Sequence, residues 1–312
     1  MAPVDSFIAE WRDDKPYICA HTSGSTGKPK EIRLPKADML VSARATNEFF
    51  DLGSSSVAAL PLSTDYIAGK MMIVRALTGD YRVVGLPVSN TIVLPDDGTV
   101  YDIMPVVPSQ LPSLIARPEY CARIRNLIIG GASPGPDLCR ELTRLGYRAY
   151  ISYGMTETCS HVALADAADP SRVFRAMPGV SFSCDADSRL VIEAPHYSFR
   201  RLQTNDIVEL LSPQEFRWRG RFDNVINSGG IKMYPEELET LYAPFLKDRE
   251  YYVTGRPDPA WGQAVTLVVE REIDAEALLE KMKGSIDHRR CPKNIEIVAE
   301  LPRTQNGKIR RL

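Results

Sequence analysis

Apolar residues come in short runs separated by helix-like stretches through about residue 210. "YICAHTSGSTG" reads as a strand feeding a glycine-rich turn. "KADMLVSARATNEFF" has helical spacing, with Met39, Leu40, Ala43 and Phe50 near one face. "SVAALPL", "YRVVGLP" and "NLIIGGA" read as buried strands. "AGKMMIVRALTG" reads as a helix closed by Gly79, and "PDLCRELTRLG" as one with Pro136 early and Gly146 at its end. "RAYISYGMTET" is a strand entering a turn. Such alternation predicts an α/β domain: a mostly parallel sheet with helices on both faces.

After about residue 180 the pattern changes. "RLVIEAP", "IVELL" and "EFRWRG" are short strands between polar turns, as in a small β-rich subdomain. Beyond "GRFDN" lies a separate unit of about ninety residues, enough for a small α+β domain. Its first helix is "PEELETLYAPFL", with Pro235 at the first helical position and Glu236 and Glu237 favoured there by the helix dipole.

Composition changes this picture little. Hydrophobic residues make up 44% and charged residues 25%, and 38 Lys and Arg against 40 Asp and Glu leave a net charge of -2. Nothing there points to nucleic acid or an anionic membrane as partner. No apolar run approaches the roughly 20 residues of a membrane span. The six cysteines are scattered, with no zinc-ligand spacing, and read as reduced, mostly buried thiols. A cytoplasmic protein is expected.

The chemistry begins at Thr22, Ser23, Gly24, Ser25, Thr26, Gly27 and Lys28. Glycines let backbone N–H groups approach an anion closely, and hydroxyls and an ammonium add donors. The stretch is not a Walker A loop, because only two residues separate the glycines and Pro29 follows Lys28. Taken alone, a Ser/Gly-rich turn is more often simply a loop. "TSGSTGKPK", however, resembles the signature loop of the adenylate-forming superfamily of acyl-CoA synthetases, adenylation domains and luciferases. It fills every position of Thr-Ser-Gly-Ser/Thr-Thr-Gly-x-Pro-Lys. The resemblance implies that this loop holds the β- and γ-phosphates of ATP.

Further motifs follow in the family's order. In "YGMTET" the resemblance puts Tyr153 and Gly154 beside the nucleotide, with Tyr153 stacked on adenine. Thr156 contacts the α-phosphate and Glu157 helps hold Mg²⁺, for which a hard carboxylate oxygen is suited. In "IIGGA" it puts Gly130, Gly131 and Ala132 along the adenine edge. Asp206 in "LQTNDIVEL" matches the aspartate that binds the ribose hydroxyls, although Asn205 stands where the family usually has glycine. In "GRFDNVINSGGIKMYPEELE" Arg221 also reaches the ribose and Asp223 is the hinge. Gly229 and Gly230 lie on the turn that faces the active site in the thioester-forming conformation. In "LPRTQNGKIRR", Pro302, Thr304, Gly307, Lys308 and Arg311 fill the terminal pattern, and Lys308 takes the place of the catalytic lysine of adenylation. Residues 1–220 would then form the large domain, 221–223 the hinge and 224–312 a mobile C-terminal domain. The reaction implied is ATP-dependent activation of a carboxylic acid to acyl-AMP, then thioester formation with CoA.

Family members usually carry a long stretch before the phosphate loop, and this chain has about twenty residues. It reads as an N-terminally shortened large domain: a natural short form, a fragment, or a chain that covers the exposed face as a homo-oligomer. "SYGMTETCSHVAL" and "RFDNVINSGGIKMYPEELE" look most like the o-succinylbenzoate–CoA ligases of menaquinone biosynthesis. That dicarboxylate needs a cation for the carboxylate that does not react. Lys70, Arg75 or His161 could supply it, and Tyr66 falls near a histidine usual in the family. Other acyl- or aryl-CoA ligases, a carrier-protein-charging enzyme and a non-catalytic nucleotide-binding relative are the alternatives.

Overall fold

The computed structural model describes residues 2–22, 30–246, 249–303 and 309–311. Helix Ala2–Arg12 (α1) precedes an antiparallel hairpin of Tyr17–Thr22 (β1) and Lys30–Pro35 (β2). Helix Lys36–Phe50 (α2), strand Val57–Leu60 (β3), helix Ile67–Gly79 (α3) and strand Arg82–Gly85 (β4) follow. Next come Met104–Val106 (β5), Leu111–Ile115 (α4), Leu127–Ile129 (β6), Pro136–Arg144 (α5) and Ala149–Gly154 (β7). A strand-only stretch then runs through His161–Asp166 (β8), Val173–Ala176 (β9), Ser181–Cys184 (β10), Arg189–Ala194 (β11), Arg200–Ser212 (β12) and Glu215–Arg221 (β13). The C-terminal unit is Ile226–Ser228 (β14), Ile231–Met233 (β15), Pro235–Leu246 (α6), Tyr251–Asp258 (β16), Gly262–Glu270 (β17), Ala275–Lys283 (α7) and Asn294–Val298 (β18).

The α/β class with a second, smaller sheet unit holds. Nine strands form one sheet in the order β10-β11-β12-β13-β9-β8-β7-β6-β5. Strand direction needs a correction to the mostly parallel expectation. In the large unit, parallel strand pairing is found in β5-β6-β7 and in the pair β3-β4, which a parallel bridge between Ala58 and Ile103 sets against the β5 edge. Every other pair in the nine-stranded sheet is antiparallel. The reason is the connections. Parallel neighbours need a long crossover, which α3, α4 and α5 supply, whereas β7 through β13 are joined by turns.

Two cores separate the units. One runs from Phe7 to Phe216 and includes Met39, Met71, Met72, Ile129 and Leu164. The second gathers Ile226, Leu238, Tyr242, Val253, Leu267 and Met282 around α6 and α7. α2 buries Met39, Ala43 and Phe50 together, as its spacing predicts. α3 ends differently from its expected glycine stop. Gly79 is its last helical residue, and Asp80 takes the left-handed cap at φ 54°. Among the described residues, no helix is long and apolar enough to cross a membrane.

Candidate active site

The C-terminal end of β7 meets β12 through Tyr153, and apart from Thr22 the described candidate nucleotide residues lie on or beside β6, β7, β12 and β13. Gly130 follows β6, and a Cβ on it would lie 3.2 Å from Ser152 Oγ on β7. Ser152 Oγ donates to the Ile129 carbonyl at 2.9 Å, which ties the two strand ends together. Gly131 adopts φ 81°, a left-handed turn that favours glycine. Gly131 and Ala132 are exposed.

Tyr153 leaves β7 and crosses over the sheet. Its ring packs edge-on against Phe216 at 5.0 Å and Phe174 at 5.8 Å, and its Oη donates to Asp206 Oδ2 at 2.7 Å. Burial, followed by the charge of Asp206, pushes the phenol well above its usual range, so it stays a donor. Asp206 and Arg221 are register partners on β12 and β13. Asp206 Oδ1 accepts from Trp218 Nε1 at 3.1 Å and from Arg221 Nη1 at 3.4 Å. The Asp206 backbone N–H donates to Thr204 Oγ1, whose hydroxyl donates to the Leu190 carbonyl. The structure therefore brings Gly130, Tyr153, Asp206 and Arg221 together.

Gly154 needs to be glycine. A Cβ there would lie 2.2 Å from the Ser160 carbonyl oxygen, so the chain can fold back on itself only without one. The fold-back carries a short 3-10 turn, Thr156–Thr158, closed by Thr158 Oγ1, which accepts from the Met155 N–H at 3.0 Å. Glu157 sits exposed on this turn with no hydrogen-bond or ion-pair partner among the described residues. An unpaired carboxylate at the nucleotide end of the sheet fits a role in holding Mg²⁺.

The same fold-back pairs His161 opposite Gly154 and delivers it to a buried polar cluster. Arg75 on α3 is 3% exposed and reaches Ser160 Oγ and, at 3.5 Å, His161 Nδ1. Ser160 Oγ lies 3.3 Å from His161 Nδ1, and His161 Nε2 lies 3.2 Å from Thr46 Oγ1. Thr46 Oγ1 donates to the Ser42 carbonyl at 3.0 Å, so it accepts from the imidazole. These roles assign the proton to Nε2 and leave Nδ1 as the acceptor. Burial, reinforced by the charge of Arg75, holds His161 well below its usual pKa, so the ring is neutral. Arg75 has no carboxylate partner among the described residues, and its Nε is buried without any partner. Burial lowers its pKa to about 10, which leaves it charged at neutral pH.

Other expected site residues fall elsewhere. Lys70 pairs with Glu10 of α1 at 2.9 Å and lies over the Phe7 ring at 4.8 Å. It fastens α1 to α3 through this pair. Tyr66 is 61% exposed at the start of α3. Asp223 is exposed and accepts from Asn205 Nδ2 at 3.3 Å. Gly229 and Gly230 form the left-handed turn between β14 and β15, with Trp261 against Gly229. Thr22 ends β1. Ser23, Gly24, Ser25, Thr26, Gly27, Lys28 and Lys308 lie outside the described residues.

Four partners escaped the sequence reading. Trp218 follows Phe216 by two positions on β13, and that period was the available signal. Ser42 and Thr46 stand four apart on the buried face of α2, where polar residues interrupt an apolar stripe. Ser160 carried no signal of its own.

A large mixed sheet flanked by helices and a separate small sheet unit make up the adenylate-forming fold. The description "AMP-binding enzyme" matches residues 5–188, and "AMP-binding enzyme C-terminal domain" matches residues 237–308. The chain belongs to the AMP-binding enzyme family. It is 28% identical to an indoleacetate–CoA ligase of Aromatoleum aromaticum over 95% of this chain and 66% of that protein. It is 25% identical to a 2-succinylbenzoate–CoA ligase of Lactococcus lactis subsp. lactis over 98% of this chain and 72% of that protein. The chain thus spans about two thirds of the length of these curated relatives. Among solved structures, an acyl-CoA synthetase (AMP-forming)/AMP-acid ligase II-like protein from Dyadobacter fermentans aligns with TM-score 0.66 and 31% identity. That alignment covers 99% of this chain and 91% of the other. The o-succinylbenzoate CoA synthetase of Bacillus subtilis, in complex with its acyl-adenylate, aligns with TM-score 0.80 at 21% identity. It covers 94% of this chain and 67% of the other, and it supports the fold.

Proposed function

We infer that the chain is an AMP-forming acid–thiol ligase that acts on o-succinylbenzoate with ATP, Mg²⁺ and CoA. The acid carboxylate attacks the α-phosphorus, pyrophosphate leaves, and the CoA thiol then attacks the acyl carbon of acyl-AMP and releases AMP. Asp206 and Arg221 hold the ribose, Gly130 to Ala132 edge the base, and Thr156 faces the α-phosphate. Glu157 would hold Mg²⁺, which screens phosphate charge when bound. Ser23 to Lys28 cradle the β- and γ-phosphates, and Lys308 stabilises charge in the in-line transition state. Residues 1–220 and 224–312 act as two bodies about Asp223, and the Gly229–Gly230 turn replaces Lys308 for the second step.

The observation that carries the choice of acid is Arg75. A buried cation with no carboxylate partner among the described residues is costly unless something else compensates it. It stands one fold-back away from the Thr156–Glu157 turn, where the reacting carboxylate is activated. The second carboxylate of o-succinylbenzoate is an anion of the right kind, and a monoacid such as indoleacetate has none. Six free cysteines accord with a cytoplasmic setting.

The test incubates the purified chain with ATP, Mg²⁺, CoA and o-succinylbenzoate, with benzoate, indole-3-acetate and medium-chain fatty acids in parallel. Mass spectrometry reads the CoA thioester. Product from o-succinylbenzoate alone supports the assignment, and turnover of a monoacid alone overturns the choice of acid while keeping the chemistry.

A further inference from the structure

We propose that Arg219 and Glu237 form a latch between the two units, and that this latch sets how much of the chain rests in the arrangement seen here. The proposal rests on the two-body reading above. Arg219 lies on β13, the last strand of the large unit, and Glu237 on the first turn of α6 in the small one. Arg219 Nε meets Glu237 Oε1 directly. On the large-unit side, Arg219 Nη1 is held by Glu209 Oε2 at 3.2 Å. On the small-unit side, Glu237 Oε2 lies 3.8 Å from Arg290 Nη2, and the Tyr234 ring lies 5.8 Å beneath the Arg219 guanidinium. Four alternating charges thus run Glu209, Arg219, Glu237, Arg290 across the junction.

Only one link in that row joins the two units. Glu209 and Arg219 sit on paired strands of the large unit, and Glu237 and Arg290 both belong to the small unit, where Tyr242 of the same helix as Glu237 donates to the Arg290 carbonyl. Any rotation about Asp223 must break the Arg219–Glu237 contact and leave the outer two intact. The contact is also partly desolvated. Burial raises the Glu237 carboxyl above its ordinary range even though both arginines pull it down. Charges in such a setting interact more strongly than exposed pairs and are screened less by salt. An acidic first turn also suits the helix dipole, but the dipole alone gives no reason for a cross-unit arginine. Arg219 and Glu237 are therefore positioning residues for the two half-reactions.

The experiment places one spin label on each unit of the full chain and reads the inter-unit distance distribution without turnover. Wild type is compared with Glu237→Gln, Arg219→Gln and the double variant. Arg217→Gln, which loses a Glu209 contact at 3.3 Å within the large unit, is the control. Each single variant should lower the population of the arrangement seen here, relative to all others, by about tenfold, and the double should add little to either. The control should match wild type. Where turnover is available, acyl-AMP formation and thioester formation from supplied acyl-AMP should change in opposite directions. Identical distance distributions in wild type and Glu237→Gln, additive single effects, or both half-reactions falling together would overturn the latch. The distances need no substrate, so failure of the ligase assignment would show separately as absent turnover.

Discussion

Tyr153 and Asp206 stand 53 residues apart in sequence, yet the phenol donates to the carboxylate at 2.7 Å. The contact spans from the last parallel strand of the large sheet to the antiparallel β12–β13 hairpin. Two aromatic rings, Phe174 and Phe216, stack beneath it at 5.3 Å. Asp206 is thereby fixed in place before any ligand arrives. A carboxylate offers about four acceptor sites. Three are used by Tyr153, Trp218 and Arg221, which leaves one directed acceptor for a hydroxyl.

Asp206→Ala should therefore weaken AMP and ATP binding without unfolding the sheet. A hydrogen bond to a charged group contributes about 1.5–3 kcal/mol, so the dissociation constant should rise about tenfold or more. Titration calorimetry of AMP checks this, with deoxy-AMP analogues as a second arm. Wild type should discriminate against the deoxy analogue and the variant should not. Equal AMP affinity in both proteins would remove Asp206 from the ribose site.

Arg75→Met separates binding from folding. The guanidinium is buried with an orphaned Nε, so its loss removes an uncompensated charge while methionine retains much of the volume. The melting temperature of the ligand-free variant should stay within a few degrees of wild type or rise. KM for o-succinylbenzoate should rise by about a hundredfold, as expected for removing the buried partner of a carboxylate, while KM for ATP changes little. A large fall in melting temperature with unchanged KM would mark Arg75 as structural.

Much of this was legible in the sequence. α2 and α6 match their expected spans because helical periodicity is continuous there and each begins beside a proline or a polar run. The motif residues beside β6 and on β7 and β13 sit at strand ends, where one stretch of sequence fixes both strand and turn, and Asp206 joins them from the middle of β12 as the register partner of Arg221. What was not legible depends on pairing. Strand direction from β8 to β13 follows from turn length and register, which no single run of residues reveals. α1 carries Val4, Phe7, Ile8 and Trp11 at helical spacing, but its partner is α3, and 60 residues separate Glu10 from Lys70. The Lys70–Glu10 pair was hidden for the same reason. A lysine on a helix face has no sequence mark that distinguishes a pocket cation from one paired with Glu10.

Lys70→Met should then behave as a stability variant. It removes an ion pair with side chains 11% and 35% exposed and a cation over the Phe7 ring. The loss should be about 1 kcal/mol, read as a lower urea midpoint with unchanged slope. KM for the acid should stay within about twofold, because the Lys70 ammonium is taken up by Glu10. A selective rise in KM with an unchanged urea midpoint would return Lys70 to the pocket.

Acidity should be felt through His161. Its folded pKa lies well below the ordinary value near 6.5, because burial and Arg75 both oppose a second positive charge. Below about pH 6.5 the unfolded chain takes up a proton on this ring and the folded chain does not. Stability therefore rises with pH across the window between the depressed folded pKa and about 6.5, and falls on acidification through it. The slope attributable to one such group approaches about 1.4 kcal/mol per pH unit. His161→Gln keeps a donor for Thr46 and an acceptor for Ser160 but does not titrate. Urea unfolding of both proteins at pH 7.5 and pH 5.5 isolates the effect, since the carboxylates and other histidines contribute equally to each. Wild type should lose about 1 kcal/mol more than the variant between those two pH values. Parallel losses in the two proteins would mean that the imidazole ring accepts its proton in the folded state as readily as in the unfolded one, and that the Arg75 cluster is open to water.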